Sequence, residues 1–248
     1  MKNSIKTFLL IHGAWEGAWS WEQTTENLEK KGHKVIAIDL PGHGNDNTDV
    51  SKITLAVYTN RVKKELVNIG KPVILVGHSF AGFIISQVAE EMPDSIEKLI
   101  YVASALPYDG KTAVEVFEED EESEFLENLV FSDDKSTATM SRETILKVIF
   151  TGATEEQIDQ VLPKLVEQAT KPFFEKVILS DSNFGRVQKA YVETTQDKVI
   201  SLKAQRLGQE RLGINESVTL ERGHVPLETA PQELANALGS LANSIKRI

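Results

Sequence analysis

An α/β fold follows from three features of the 248-residue sequence. Its expected form is a mostly parallel six-stranded sheet flanked by helices, with a helical cap inserted after the fourth strand. First, short β-favouring apolar runs alternate with stretches of helical period from Thr7 to Ala103, the rhythm of parallel strands joined by right-handed crossovers. Second, the rhythm stops after Pro107 and resumes at Lys189. Third, residues 107–186 hold 18 Asp/Glu against 8 Lys/Arg, a net −10 equal to that of the whole chain, so the remainder is neutral. The expected organisation is a core of residues 1–106 and 187–248 with an acidic helical cap at 107–186.

Thr7–Ile11 is a short apolar strand ending in His12-Gly13-Ala14-Trp15. A helix is expected from about Trp21 to Lys31, with Gly32 as its stop. Lys34–Asp39 forms the second strand, and Leu40-Pro41-Gly42-His43-Gly44 is its turn-rich exit. Thr54 is placed to cap a helix running to about Ile69. Val73–Val76 reads as a fully buried strand leading into Gly77-His78-Ser79-Phe80-Ala81-Gly82, and an apolar run of helical length follows until Pro93. Leu99–Ala103 is the fourth strand. Within the insertion, helices are expected over roughly Thr112–Leu129, Arg142–Phe150 and Thr154–Gln168, the last opening with a capping-box composition. Strands Lys189–Thr194 and Glu216–Leu220, a helix near Leu202–Leu212 and a final helix from about Pro231 complete the core. The insertion leaves from the carboxyl end of the fourth strand, where open α/β sheets bind ligands, so it is placed to act as a lid.

Composition removes several functions. The chain has no cysteine, which excludes disulfides and thiolate metal sites. The apolar run Phe8–Ile11 is too short for a signal peptide and no segment approaches a membrane span, so a cytoplasmic location is expected. A net charge of −10 argues against a nucleic-acid partner. The run Glu115 to Glu124 contains seven carboxylates without oxygen-ligand spacing and reads as a solvated helix face or loop. No metal site and no cofactor are expected.

Strand, sharp turn and buried helix with a serine at the apex is the setting of a nucleophile elbow, although the usual G-x-S-x-G pattern here has Ala81 at its last position and glycine delayed to Gly82. Acyl transfer by Ser79 needs an imidazole base and a carboxylate that fixes its tautomer. Asp197, on the loop after a late strand, and His224, on the loop after the last strand, complete the order Ser…Asp…His expected on such a sheet. The backbone N–H groups of Ala14 and Phe80 are the candidate oxyanion donors. Asp109 is a rival acid, but Asp-Gly after Pro-Tyr reads better as a turn. His12 reads as shaping the turn after the first strand, His43 and His78 as structural hydrogen-bonders, and His33 as solvent-facing.

With these residues in view, the chain resembles the α/β-hydrolases of the plant methylesterase and hydroxynitrile lyase group, which also has bacterial esterase members. The matching residues are His12-Gly-Ala-Trp15 with Gly17-Ala-Trp-Ser-Trp21, Gly32-His-Lys-Val35, Asp39-Leu-Pro-Gly-His-Gly44, Gly77-His-Ser-Phe-Ala-Gly82, Gln196-Asp197, Gln205-Arg206 and Gly223-His224. The resemblance implies a triad of Ser79, Asp197 and His224, no cofactor, an insertion that roofs a mostly apolar pocket, and a homodimer as a common form. The implied function is a serine esterase acting on a small neutral carboxylic ester. Two rivals stay open: a lyase of the same fold, and a small-molecule receptor that keeps the triad. The lyases of this group carry threonine and lysine where this chain has Gly13 and Val225, and both departures favour the esterase. Gly13 is expected to leave the oxyanion pocket open for an ester carbonyl. The acidic insertion, if spread over the pocket, would disfavour anionic substrates.

Overall fold

The computed structural model describes residues 4–244. Strand β1 (Thr7–Ile11) is buried along its whole length, as an apolar run covered on both faces must be. A 3₁₀ turn, Ala18–Trp21, leads into α1 (Glu22–Glu29), and Gly32 at φ 89° turns the chain into β2 (Lys34–Ile38). Helix α2 (Leu55–Ile69) begins where the Thr54 hydroxyl accepts the Val57 N–H and ends at Gly70 in the left-handed region. Then come β3 (Val73–His78), α3 (Ala81–Glu91) and β4 (Ile96–Val102). His33 is a correction to the expectation. It is buried, its Nδ1 accepts the Lys6 N–H at 3.2 Å, and it packs edge-on against Phe8.

Between β4 and Lys189 the chain is less helical than its periodicity suggested. Helix α4 (Ala113–Glu118) starts with a full capping box at Thr112 but stops far short of Leu129. Five consecutive carboxylates, Glu118 to Glu122, repel one another along a helix and find cations elsewhere. Two short strands follow, β5 (Val130–Phe131) and β6 (Thr137–Thr139). One turn of helix, α5 (Arg142–Thr144), runs into a π turn at Ile145–Ile149, closed by the Phe150 N–H on the Ile145 carbonyl at 2.8 Å. Helix α6 (Glu155–Val161) has the expected capping box at Thr154 and Gln157 but gives way to β7 (Gln168–Ala169). Strands β5, β6 and β7 form a small antiparallel sheet in that order, which strands of two or three residues cannot announce by pattern.

The core resumes with β8 (Lys189–Thr194), α7 (Leu202–Arg211) and β9 (Ser217–Leu220). A short α8 (Pro226–Thr229) precedes α9 (Pro231–Asn243). The six core strands are all parallel, in the order β2-β1-β3-β4-β8-β9. The chain therefore moves one way from β1 to β2 and the other way from β3 onward. Right-handed crossovers then put α1 on one face, where it packs with α9, and α2 with α3 on the opposite face. The reversal opens a crevice between the carboxyl ends of β1 and β3, the place where such sheets hold ligands. Among the described residues no helix is long and apolar enough to cross a membrane.

Candidate active site

Ser79 sits at the tip of the turn between β3 and α3 with φ 52°, a left-handed backbone that a non-glycine residue adopts only when its surroundings enforce it. Here the enforcement is visible. The Ser79 N–H donates to the Val102 carbonyl at 3.1 Å, and its own carbonyl accepts the Ser104 hydroxyl at 2.7 Å. A Cβ on Gly77 would lie 3.0 Å from the Ala81 carbonyl oxygen, and one on Gly82 only 2.0 Å from Ser104 Oγ. The glycine that the motif delays to position 82 thus makes room for the serine that pins the elbow.

The structure brings the three expected side chains together. His224 Nδ1 donates to Asp197 Oδ2 at 2.9 Å, which leaves Nε2 to accept the Ser79 hydroxyl at 2.8 Å. All three residues are buried. Asp197 is held from four directions: Oδ1 accepts the Val199 and Ile200 N–H groups, and Oδ2 accepts the Thr194 hydroxyl and the imidazole. Gln205, whose amide bonds both the Thr194 N–H and the Ile200 carbonyl, closes that loop. Asp109 is exposed and its backbone lies in a turn, as expected, while its carboxylate accepts the N–H of Leu179, 70 residues further along the chain.

The N–H groups of Ala14 and Phe80 donate to no protein acceptor among the described residues, and the helix dipole of α3 adds to the second. Trp15, at φ 63°, bends the first loop just after Ala14, which lines the same cavity as Ser79. Three bonds fasten that tryptophan to the insertion: its N–H to Gln168 Oε1, its carbonyl from the Val166 N–H, and its indole N–H to the Ala138 carbonyl. His12 spans loops, donating to the Gly13 carbonyl and accepting the Leu40 N–H. His43 donates to the Glu16 carbonyl and meets the Tyr58 hydroxyl, and burial, with His12 nearby, pushes its pKa down to about 3.

Over Ser79 lies a cavity of about 260 Å³, walled by Trp15, Phe125, Met140, Ile145, Phe150 and Val225 among others. The acidic run does not line it. Glu119 pairs with Arg211, Glu122 with Lys203 and Glu124 with Lys198, while Asp120 accepts both the N–H and hydroxyl of Ser201. Those carboxylates fasten the insertion to α7 and the loop before it, so the expected sheet of negative charge over the pocket is absent there. The charged side chains that do line the cavity, histidines aside, are Glu16, Glu167 and Arg142.

Two features went unread in the sequence. One is Glu16, buried against His78; its only signal was a lone acid inside a run of glycine, alanine and tryptophan. The other is Glu228 of α8, whose pKa burial, then the charge of Glu16, raises to about 7. Because the folded pKa exceeds the unfolded one, its contribution to stability is present at low pH and is lost as pH rises through about 7. Glu228→Gln should therefore melt above the parent protein at pH 8, by about 1–2 kcal/mol after allowing for its residual solvent contact. The two should melt together near pH 4, as thermal unfolding at both pH values will check.

Residues 8–237 match the alpha/beta hydrolase family. A protein named as chloroplastic methylesterase 11 of Arabidopsis thaliana is 30% identical over 95% of this chain, which spans 63% of that protein's length. Another Arabidopsis thaliana protein, named as chloroplastic methylesterase 14, is 31% identical over 96% of this chain and 72% of its own. A crystal structure described as a pyrethroid hydrolase superposes with a TM-score of 0.82 at 25% identity, covering 99% of this chain and 100% of the other. The chain therefore belongs to the alpha/beta hydrolase family, in the group that holds the plant methylesterases.

Proposed function

We propose that this protein is a serine esterase that hydrolyses small neutral carboxylic esters through an acyl-enzyme intermediate. The observation that carries the reading is the unbroken hydrogen-bonded line from Ser79 through His224 to Asp197, opening onto a small, mostly apolar cavity. Ser79 Oγ attacks the ester carbonyl while its proton passes to His224 Nε2. Negative charge on the carbonyl oxygen is met by the Ala14 and Phe80 N–H groups. The C–O bond to the alcohol breaks as His224 returns the proton to the leaving oxygen. Water, deprotonated by the same imidazole, then releases the acid and restores Ser79. Asp197 keeps the proton on Nδ1 throughout and stabilises the imidazolium.

The names of the relatives support methyl esters as the first substrates to try, and a cavity of about 260 Å³ suits acids of modest size. A panel of short p-nitrophenyl esters and small methyl esters should show steady turnover that disappears in Ser79→Ala. Labelling of Ser79 by a fluorophosphonate, without turnover of any ester in the panel, would instead make the protein a receptor.

A further inference from the structure

Two buried ionisable groups beside the nucleophile take no part in the steps above. Glu16 is 3% exposed and His78 2%. His78 Nδ1 lies 3.0 Å from Glu16 Oε2, and its Nε2 lies 2.9 Å from the His224 carbonyl oxygen. Glu16 Oε2 also accepts the Gly13 N–H at 3.0 Å. A carbonyl oxygen cannot donate, so Nε2 carries a proton. The second proton lies between Nδ1 and Oε2.

We propose that Glu16 and His78 form a buried ion pair that braces the oxyanion loop, the nucleophile elbow and the catalytic-histidine loop in register, which makes both of them positioning residues. The proposal rests on the serine-esterase reading. Each contact of the pair falls on, or one residue away from, a group the chemistry uses: Gly13 precedes the donor Ala14, His78 precedes Ser79, and the carbonyl belongs to His224 itself. Stability alone does not account for the pair. Replacing a buried ion pair by apolar side chains is often neutral or stabilising, and Glu16 Oε1 is buried with no partner, a further cost. What the pair supplies is geometry at three points. Its net neutrality matters as well, because an uncompensated carboxylate beside Ala14 would oppose the negative charge that the donor must stabilise.

The surrounding charges bear on where the proton rests. His12 faces the pair from the loop after β1, with Asp39 and His43 beyond it; Asp197 and His224 face it from the catalytic loops, and Glu228 from α8. Burial opposes charge on both partners. The Glu16 carboxylate and the hydrogen bonds outweigh it at His78, which is raised, and the His78 charge outweighs it at Glu16, which is lowered. Both directions put the proton on the imidazole.

Glutamine at position 16 breaks this arrangement. Beside a neutral side-chain amide there, His78 tends to a single N–H. The amide oxygen that replaces Oε2 takes that proton only if Nε2 turns a lone pair on the His224 carbonyl. The base then loses its backbone anchor, and a displacement of about 1 Å costs about 100-fold in rate. Glu16→Gln should therefore lower kcat about 100-fold on an ester the parent turns over, with KM changed by less than about three-fold, since glutamine keeps the size of the side chain where it meets the cavity wall. A folded Glu16→Gln with kcat within two-fold of the parent overturns the brace. The parent protein gives a second test that needs no variant to keep its activity. In ¹⁵N-histidine-labelled protein at pH 7, the signals lost in His78→Asn should show both ring nitrogens protonated, and an unprotonated Nδ1 overturns the proposal. A neutral His78 in an active esterase removes the brace alone, whereas absence of both turnover and fluorophosphonate labelling in the parent removes the esterase reading.

Discussion

Asp197→Asn lowers kcat by on the order of 10³–10⁴ while leaving the melting temperature close to that of the parent. The hydrogen bonds of the loop dictate this outcome. Oδ1 faces two backbone N–H donors, Val199 and Ile200, so the amide oxygen must stay there. The amide nitrogen is then placed at Oδ2, where it donates toward His224 Nδ1. The imidazole responds by carrying its proton on Nε2, pointed at Ser79, and can no longer accept the serine proton. Ser79→Ala removes the nucleophile itself and with it fluorophosphonate labelling. Asp109→Asn serves as the control, because that side chain is exposed and, among the described residues, bonds only the N–H of the distant Leu179. Steady-state kinetics of the three variants decide the assignment, and a dead Asp109→Asn beside an active Asp197→Asn would reverse it.

Gly13→Thr has the second large effect, through collision. A Cβ at Gly13 would lie 2.8 Å from His78 Nδ1, 3.1 Å from Ser79 Cβ and 3.2 Å from Glu16 Oε2. A side chain at position 13 therefore has no room, because Glu16, His78 and the serine already occupy the space it would take. His78 is bonded at both nitrogens and cannot give way, so the loop carrying Ala14 must move. Esterase kcat/KM should fall by at least about 100-fold. Adding Val225→Lys buries an ammonium at a cavity-lining position that is 1% exposed, and the pair of changes should not produce a lyase. The parent should release cyanide from mandelonitrile or acetone cyanohydrin no faster than buffer. Enzymatic release that Ser79→Ala abolishes would move the function to C–C cleavage.

Much of the core could be read from the chain because its signals are local. Thr7–Ile11 and Lys189–Thr194 appear as strands with the expected limits, the first as an apolar run and the second around the β-favouring Tyr191 and Val192. Thr54 marks the start of α2 by capping chemistry within its first turn, and the helix ends at Ile69 as expected. The meeting of Ser79, Asp197 and His224 in space was legible because each lies just beyond a strand and sheet topology fixes where such loops go. The insertion was read poorly for the converse reason. Its strands are two or three residues long, and the end of α4 is set by cations on α7 about 90 residues away. His33 and Glu16 fail the same test, because their partners, Lys6 and His78, lie 27 and 62 residues away in the sequence.

The three bonds of Trp15 tie the roof of the cavity to the loop that offers Ala14. A bulky side chain at φ 63° stays there only while those bonds last, so the loop has no independent reason to keep its shape once they open. Roof and Ala14 loop are accordingly expected to open as one cooperative unit. The amides of Trp15 and Val166 then exchange with solvent through the same event, and at a lower free energy than the amides of β3 or β4 in the sheet beneath. On the proposed reading, substrate should therefore enter past side chains at the rim, because lifting the roof would displace Ala14. Warming should therefore silence the enzyme before its sheet begins to melt.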